Sequence, residues 1–375
     1  MPVYLDHAAG GPLHPDARAA MLPWLTDRFG NPSGSHQVAR AAREAIDSAR
    51  DTLAEMVGIE PGGVVFTSGG TESDNLAVLG TVAARPGCVV VSAVEHPAVA
   101  EAAAASGREV RVAPVNTDGV VEPARLRPLL GDDVALVSVQ TVNHETGVVQ
   151  PIPDILRLVR RRAPGARFHT DAVQAAAWLD VAEVTAGADL VSLSSHKLGG
   201  PQGAGALAIR PEIAIHPVLH GGGQEREMRS GTQNVAAIVG FAAAVRATAE
   251  GREATSARVS ELRDSLAKRI TYAVPSCVVT SAASRRVAGH LHVRFPGVES
   301  EALLVLLDEA GVCASAGAAC ASGAIEPSPV LLAMGVDKDE AVCSLRLSLG
   351  PTTSVEDVEF AAAAVVDAVS KLGGR

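Results

Sequence analysis

Cys-Val-Val-Val-Ser at residues 88–92, followed by an alanine-rich stretch at 97–105, is the clearest instance of a pattern that fills the first two thirds of the chain. A short β-branched run predicts a buried strand, and an alanine-rich stretch of this length predicts a helix. Further strands are predicted at 63–67, 134–139, 167–171 and 190–194, and further helices at 71–79 and 152–162. Strands that alternate with helices indicate a mainly parallel sheet covered by helices, which is an α/β fold.

The pattern changes after a long helical stretch at 235–266, which we expect to break near Gly251. Beyond it, strands are predicted at 277–280, 290–295 and 344–349, and helices at 299–309 and 355–372. We therefore predict two domains with a boundary near residue 249. Residues 12–248 form the large α/β domain, and residues 1–11 and 249–375 form a smaller α+β domain.

Composition and charge exclude several classes of protein. The 375 residues include 42 Asp and Glu against 32 Lys and Arg, so direct binding to nucleic acid is not expected. No apolar stretch is long enough for a bilayer, and the amino terminus lacks an export signal, so we expect a cytoplasmic protein without membrane association.

The five cysteines are odd in number and scattered, which does not suit a disulfide framework and leaves room for a reactive thiol. No metal site is predicted.

Two adjacent glycines, Gly69 and Gly70, end the strand at 63–67, and Thr71 opens the helix that follows. Free backbone amides at such a helix start, together with the helix dipole, favour an anion such as a phosphate. The segment has neither the lysine of a nucleotide-binding P-loop nor the glycine spacing of a dinucleotide fold. Taken alone, it suits an ordinary helix N-cap better than a phosphate site.

Three polar side chains follow predicted strands, at the sheet edge where ligands of α/β proteins bind. Asp171 ends one strand, Lys197 follows another within Ser-His-Lys-Leu-Gly-Gly-Pro, and His96 follows a third. Each also has an ordinary alternative role. Asp171 could be a helix cap, Lys197 a surface charge, and His96 the partner in a structural hydrogen bond. Together with the anion seat they indicate a pyridoxal phosphate pocket, with the ring nitrogen on Asp171, the aldehyde on Lys197 and the His96 imidazole against the ring.

The chain resembles the cysteine desulfurases of the class V aminotransferase-like, fold-type I pyridoxal phosphate enzymes. The resemblance covers nearly the whole chain, from residues 4–9 through 30–33 and the Lys197 segment to 344–350. Its most specific part is 314–323 with 326–331, which is similar to the mobile loop that carries the nucleophilic cysteine in the group I, NifS-like branch. Cys320 is the matching residue.

The sequence around Cys320 agrees with that assignment. Small residues and two glycines surround it, which predicts a reachable thiol, whereas Cys88 and Cys277 fall in predicted apolar strands. Cys313 and Cys343 adjoin valines and are expected to be buried packing thiols.

The resemblance implies a fold-type I architecture, whose large domain holds a mainly parallel seven-stranded sheet. It implies pyridoxal 5'-phosphate bound as a Schiff base on Lys197, and conversion of L-cysteine to L-alanine with the sulfur held as a persulfide on Cys320 for an acceptor protein. Lys197 would shuttle a proton, His96 would assist, and Arg346 would bind the substrate carboxylate. The cofactor contacts implied position by position are Gly70, Thr71, His96, His144, Asp171, Gln174, Ser194, His196, Lys197 and Thr232. Thr232 comes from the second subunit in the family, so a homodimer is expected.

The chain departs from the family pattern at two places. Asn143-His144-Glu145 replaces the usual Asn-Asn-Glu, so an imidazole stands where a carboxamide normally lies near the ring and the substrate carboxylate. Because imidazole titrates near neutrality, we expect a different pH optimum or substrate preference. The chain also ends at residue 375, without the longer tail that housekeeping relatives use near their iron-sulfur scaffold, so docking to such a scaffold is not predicted.

Two alternatives stay open at this point. A related C–S lyase or selenocysteine-specific enzyme would share the pocket and use the thiol differently. A non-catalytic sulfur-trafficking partner is disfavoured by the complete set of Lys197, Asp171, His96 and Cys320. The acceptor pathway, whether iron-sulfur assembly, tRNA thiolation, or sulfur transfer to a cofactor or natural product, is not encoded in these motifs.

Overall fold

The computed structural model describes residues 2–316 and 326–373. Its strands are β1 (Val3–Tyr4), β2 (Val64–Thr67), β3 (Cys88–Ser92), β4 (Val110–Ala113), β5 (Val134–Ser138), β6 (Arg167–Asp171), β7 (Leu190–Ser194), β8 (Gly205–Ile209), β9 (Val278–Val279), β10 (His290–Arg294), β11 (Val312–Cys313) and β12 (Ser344–Ser348). Its helices are α1 (Pro15–Leu25), α2 (Gln37–Val57), α3 (Gly70–Ala84), α4 (Pro97–Ala105), α5 (Pro123–Leu126), α6 (Ile152–Arg162), α7 (Val181–Val184), α8 (Val235–Ala273), α9 (Ser300–Glu309), α10 (Pro329–Ala333), α11 (Lys338–Ala341) and α12 (Val355–Lys371).

The main sheet has seven strands in the order β2-β8-β7-β6-β5-β3-β4. All of them run parallel except β8, which is antiparallel to both of its neighbours. Most of these strands are buried along their whole length, as expected for a parallel sheet with helices on both faces. Apolar side chains of α3 and α4 pack on one face, and those of α2, α6 and α8 pack on the other. The predicted α/β fold with a mainly parallel seven-stranded sheet is confirmed.

A second apolar core lies in the last third of the chain. An antiparallel sheet in the order β12-β10-β9 turns Leu291, Val293, Leu345 and Leu347 toward the apolar faces of α9 and α12. The alternate residues of β10 and β12, which include His292 and Arg346, therefore point to the opposite face. The alternation along these two strands places Arg346 on the polar side of the sheet.

Helix α8 joins the two cores and corrects one sequence prediction. The helix is continuous over Val235–Ala273, so the break expected near Gly251 is wrong. Its first part packs in the core of the main sheet through Phe241, and its last part packs in the second core through Leu266. Glycine weakens a helix interior by only about 1 kcal/mol, and apolar packing at both ends of the helix outweighs that cost. The domain boundary near 249 stays a prediction.

Other differences are small. Helix α3 begins at Gly70 and extends to Ala84, beyond the predicted end at residue 79. Cys277 precedes the short strand β9 and is only half-buried, as is Cys313, whereas Cys88 and Cys343 are buried. In the two described ranges, no helix has the length and apolarity needed to cross a bilayer. No group of three or more His, Cys, Asp or Glu in those ranges could hold a metal ion.

Candidate active site

The start of α3 has the features of an anion seat. Its N-cap is Gly69, which has no side chain with which to cap the helix, so the first amides are not used by a capping group. Gly70 lies close to the ends of β6 and β7. A Cβ added at Gly70 would be 2.9 Å from Cγ2 of Val173, which follows β6, and 3.5 Å from Cβ of Ser194, which ends β7. The Ser194 hydroxyl lies 2.9 Å from Nδ1 of His196 at the same edge. Gly70, Ser194 and His196 are thus brought together.

Lys197 lies in a short turn after β7, and its amine points at the beginning of the chain. Nζ donates to the carbonyl oxygens of Ala8 and Ala9, the latter at 2.8 Å, and Gln174 Nε2 donates to Ala8 at 3.0 Å. Burial and the nearby Arg346 guanidinium lower the pKa of Lys197 to about 8, against the opposing effect of Asp6 and Asp171. The neutral, nucleophilic form of the amine is therefore much more populated at physiological pH than in an exposed lysine.

Asp171 ends β6 and is buried. Its Oδ1 accepts a hydrogen bond from the amide of Val173 at 2.8 Å. Burial raises the pKa of this carboxyl to about 6, while the Val173 amide and the Lys197 charge act in the opposite direction. A positively charged ring nitrogen beside it would lower that pKa and form a charge-assisted hydrogen bond.

Sequence reasoning missed a buried polar layer next to Asp171. The ring of His169 is held between two hydroxyls, with Nδ1 2.8 Å from Ser138 Oγ and Nε2 2.9 Å from Ser192 Oγ. Asp74 Oδ1 lies 3.6 Å from that Nε2, and burial together with the charge of Asp171 raises the pKa of Asp74. His169 could have been identified from the sequence, because it is a polar residue within the buried strand β6. Asp74 could not, because it belongs to a helix, where no local pattern distinguishes it.

The rings of His96 and His144 pack edge to face in the site. Their ring centroids are 5.0 Å apart with an interplanar angle of 75°. His96 Nδ1 accepts from the amide of Ala98 at 3.1 Å and so caps α4, which is the structural role weighed from the sequence. Burial and the Lys197 charge lower its pKa, so the ring is neutral and its other nitrogen is available for proton transfer.

The surroundings of His144 decide whether its imidazole titrates near neutrality, which was the reason for expecting a different pH optimum. Burial, then His96 and Arg346, lower the pKa of His144 well below its ordinary value. The imidazole is therefore neutral at physiological pH and does not titrate near neutrality. Its buried Nδ1 has no hydrogen-bond partner among the described residues, so it can contact a bound ligand.

Arg346 is buried in the site and is not a surface ion pair. Nη2 donates to Oδ1 of Asp6 at 2.8 Å, and Nη1 donates to the carbonyl of His144 at 3.1 Å. Within the described ranges the buried Nε has no partner. The guanidinium is thus held in place with donors left for a carboxylate. Asp6 was missed as a site residue, although it belongs to the amino-terminal segment that carried the family resemblance.

Cys320 lies outside the described residues, but both flanks of its segment are anchored at the site. On one side, the backbone of Ser315 pairs with Arg346 through hydrogen bonds of 3.2 and 2.7 Å. On the other side, the Ser328 hydroxyl donates to Glu145 Oε2 at 2.6 Å, next to His144. Burial raises the pKa of Glu145 to about 7. The sequence did not indicate the bond between Glu145 and Ser328.

Thr232 differs from the other residues named from the sequence. It is exposed, and no hydrogen bond joins it to Lys197, Asp171 or Thr71 among the described residues. Thr71 itself lies in the first turn of α3 with the rest of the anion seat. Among the described residues that were named from the sequence, Thr232 is therefore the one that is not joined to the other site residues within a single chain.

Comparisons with known proteins agree with this geometry. The family model described as Aminotransferase class-V matches residues 3–360. An IscS-like cysteine desulfurase of Mycobacterium tuberculosis strain H37Rv is 42% identical over 98% of this chain and 96% of that protein. Cysteine desulfurase IscS of Methanosarcina thermophila is 39% identical over 99% of this chain and 92% of that protein.

Solved structures are similar over the same length. A NifS-like protein superposes with a TM-score of 0.92 at 30% identity, covering 99% of this chain and all of that one. A structure described as SspA in complex with cysteine gives a TM-score of 0.82 at 31% identity over 94% of this chain and 100% of its own.

Proposed function

This chain belongs to the aminotransferase class-V family as a cysteine desulfurase, and on that premise we propose that Lys197, His96, Arg346 and Cys320 perform its reaction. The observation that carries the proposal is the anchoring of both flanks of the Cys320 segment at residues of the site. Ser315 is tied to Arg346, and Ser328 is tied to Glu145. Arg346 is near enough to Lys197 to lower the pKa of its amine.

Membership of the family implies dependence on pyridoxal phosphate, and the residues fit that group. The uncapped start of α3 suits a phosphate, the buried Asp171 suits a protonated ring nitrogen, and Lys197, with its lowered pKa, suits an aldehyde. Gln174, Ser194 and His196 complete the contacts. When bound, the cofactor supplies an aldehyde that condenses with amines and a ring that withdraws electrons from the substrate α-carbon.

The side chains around that group have separate tasks. Arg346 binds the substrate carboxylate as a planar fork, because Asp6 and the His144 carbonyl already fix its orientation. The free Nδ1 of His144 adds a contact to the same carboxylate. Lys197, once displaced by the substrate amine, takes the proton from the α-carbon and later returns it. The neutral His96 exchanges protons with the substrate.

Cys320 takes up the sulfur. Its thiolate attacks the sulfur of L-cysteine, an S–S bond forms, the substrate C–S bond breaks, and the electron pair of that bond stays on the carbon skeleton. Protonation of that carbon gives L-alanine, and the enzyme keeps a persulfide for an acceptor protein.

The functional unit in the proposal is a homodimer in which Thr232 of one copy contacts the phosphate in the other. Support comes from exposed apolar residues near this segment, since Val218 and Leu219 are 44% and 47% exposed. A cavity of about 390 Å³ is lined by Pro32, Ser33, mostly charged side chains of α2 and the 222–226 segment, which follows Leu219 in sequence. Phe29, three residues before Pro32, is 74% exposed. A second copy is the occupant that would cover these apolar groups. A cytoplasmic location stays a prediction.

The proposal is tested by alanine formation from L-cysteine. We expect the Lys197→Ala and Cys320→Ser variants each to lose more than about 99% of the activity of the wild-type protein, since each removes a covalent participant. The matched control is Cys313→Ser, which replaces a half-buried thiol seven residues earlier and should keep the activity. Continued alanine formation by Cys320→Ser, with a thiol reductant present to release the sulfur as sulfide, would instead show C–S cleavage that needs no persulfide on Cys320.

A further inference from the structure

A turn before α8 holds three consecutive non-glycine residues in the left-handed region of backbone space. Glu225, Arg226 and Glu227 have φ values of 49°, 56° and 68°. Each such residue costs free energy, and a run of three persists only where the surroundings over-determine it. Among the non-glycine residues that the structure describes, Ser281 is the only one outside the turn with a positive φ. Strain of this kind is typical of a segment that must present a group in one fixed position.

Glu225 is the anchor of the turn. It is buried although both of its followers are exposed, and its carboxylate accepts two hydrogen bonds from Arg50, at 2.7 and 2.9 Å. The amide of Phe66 on β2 donates to the same carboxylate at 2.9 Å. Arg50 also lies 4.8 Å above the ring of Phe66, which fixes its guanidinium. The strained turn is thus tied to α2 and to the main sheet.

The bonds of the turn converge on the two neighbours of Thr232. Gln233 Nε2 donates to Glu225 Oε1 at 3.1 Å. The amide of Gly231 donates to Oε1 of Gln224 at 2.8 Å. Thr232 lies between these two bonded residues, and it is exposed. The turn therefore holds the backbone before Thr232 and the side chain after it, and within residues 2–316 and 326–373 no hydrogen bond joins Thr232 to the active site of its own chain.

We propose that the 224–227 turn is a rigid support that holds Thr232 in place for the cofactor phosphate of the partner subunit, with Glu225 and Gln233 as positioning residues. The inference rests on the proposed homodimer and adds the device that fixes the shared contact. Glu225 acts through Gln233 and Thr232, and it touches neither substrate nor cofactor. The rival arrangement is that Thr232 serves its own site, since Arg229 of the same segment pairs with Glu72 near Thr71 at 2.7 Å.

Cofactor affinity tests the positioning role. Apoprotein of each variant is titrated with pyridoxal phosphate, and sedimentation records the oligomeric state. Glu225→Gln removes the charge that Arg50 pairs with, and Gln233→Met removes only the bond to Glu225. We expect each to raise the cofactor Kd by about tenfold while the protein remains dimeric. Glu227→Gln is the matched control, because it lies in the same turn but is exposed, and it should leave the Kd unchanged within about twofold. An unaltered Kd in dimeric Gln233→Met would overturn the proposal.

Mixed dimers decide which copy the turn serves. One chain carries Lys197→Ala with an intact turn, and the other carries Gln233→Met with an intact Lys197. After loading at limiting cofactor and borohydride reduction, mass spectrometry measures the fraction of Lys197 that carries the cofactor. We expect the intact turn of the first chain to restore the loading of the second to the wild-type level. Loading that stays at the level of the Gln233→Met homodimer would show that the turn serves its own chain.

Failure of the underlying function gives a different result. If the protein does not use Lys197, no reduced adduct appears on any chain, the wild type included. If it is a monomer, no mixed species is isolated, and both the shared site and the support are contradicted.

Discussion

The chemistry of Lys197 depends on charged groups from three other parts of the chain. Burial and Arg346 lower the pKa of the amine, and the carboxylates of Asp6 and Asp171 raise it, with a net value of about 8. An exposed lysine titrates more than two units higher, near 10.4. The buried site thus gives the amine a larger neutral fraction at physiological pH than an exposed lysine has, without a separate general base.

This value leads to a pH prediction. Only the neutral amine attacks an aldehyde, so the rate of pyridoxal phosphate uptake by apoprotein should rise about tenfold per pH unit below pH 8 and level off above it. Stopped-flow absorbance between pH 6 and 10 measures this rate. Asp6→Asn removes a charge that raises the pKa, so its midpoint should lie lower. A wild-type rate that still climbs between pH 9 and 10 would show an ordinary lysine.

Single residues also show what the sequence could and could not indicate. Asp171, Lys197 and His96 were found because each follows a strand of a parallel sheet, where chain order predicts proximity. The ion pair of Asp6 with Arg346 joins residues 340 positions apart, and no local pattern indicates it. The neutral state of His144 could not be predicted either, because it depends on burial and on the neighbouring His96 and Arg346.

At the scale of elements, α10 links the Cys320 segment to the rest of the site. Its N-cap Ser328 accepts from the amide of Leu331 at 3.1 Å and donates to Glu145. Loop 143–147 and helix α10 are thereby held together across 183 positions of sequence. Side-chain bonds between residues so far apart in sequence are set by tertiary packing, which explains why no local sequence pattern indicates the bond between Ser328 and Glu145.

Ser328→Ala should separate persulfide formation from cofactor binding. Loss of the cap is expected to cost about 1 kcal/mol of unfolding free energy, and loss of the Glu145 bond to slow sulfur uptake by Cys320. Urea unfolding and a time course of persulfide formation measure the two effects. Ser354→Ala, which removes the cap of α12 away from the site, is the matched control. An equal slowing in both variants would mean that the anchor has no specific role.

Helix α8 illustrates how packing overrides local propensity. The sequence correctly predicted a helix at this place, and it wrongly predicted a break at Gly251. Most other boundaries agree within a few residues, because apolar periodicity reports directly on which face is buried. A glycine indicates only a low local preference for helix. In a 39-residue helix that packs in two cores, the packing outweighs that preference.

Gly251→Ala should therefore stabilise the protein. An added Cβ would meet only Thr255 Oγ1, at an ordinary 3.7 Å, so the substitution should raise the unfolding free energy by about 0.5–1 kcal/mol. Gly240→Ala in the same helix is the control, since its Cβ would lie 2.5 Å from Cγ of Met21 and should destabilise. Urea midpoints measure both. A loss of turnover in a stable Gly251→Ala protein would instead identify a hinge.

At the scale of the whole molecule, the site is assembled from the full length of the chain. The amino-terminal residues cover the lysine, the edge of the main sheet supplies Asp171 and the anion seat, and β12 supplies Arg346. Similarity to IscS-like and NifS-like proteins over almost the whole chain follows from this, because no single segment contains the site. The family resemblance identified from the sequence is confirmed, and the individual roles of the site residues are proposals.

Mass spectrometry of the purified protein, loaded with pyridoxal phosphate and incubated briefly with L-cysteine, tests the central claim most directly. We expect a gain of about 32 Da, the mass of one sulfur atom, on the peptide that contains Cys320, removable by a thiol reductant. The gain should be absent in Lys197→Ala. Alanine formation without any added sulfur on Cys320, or added sulfur on Cys313 instead, would contradict the account.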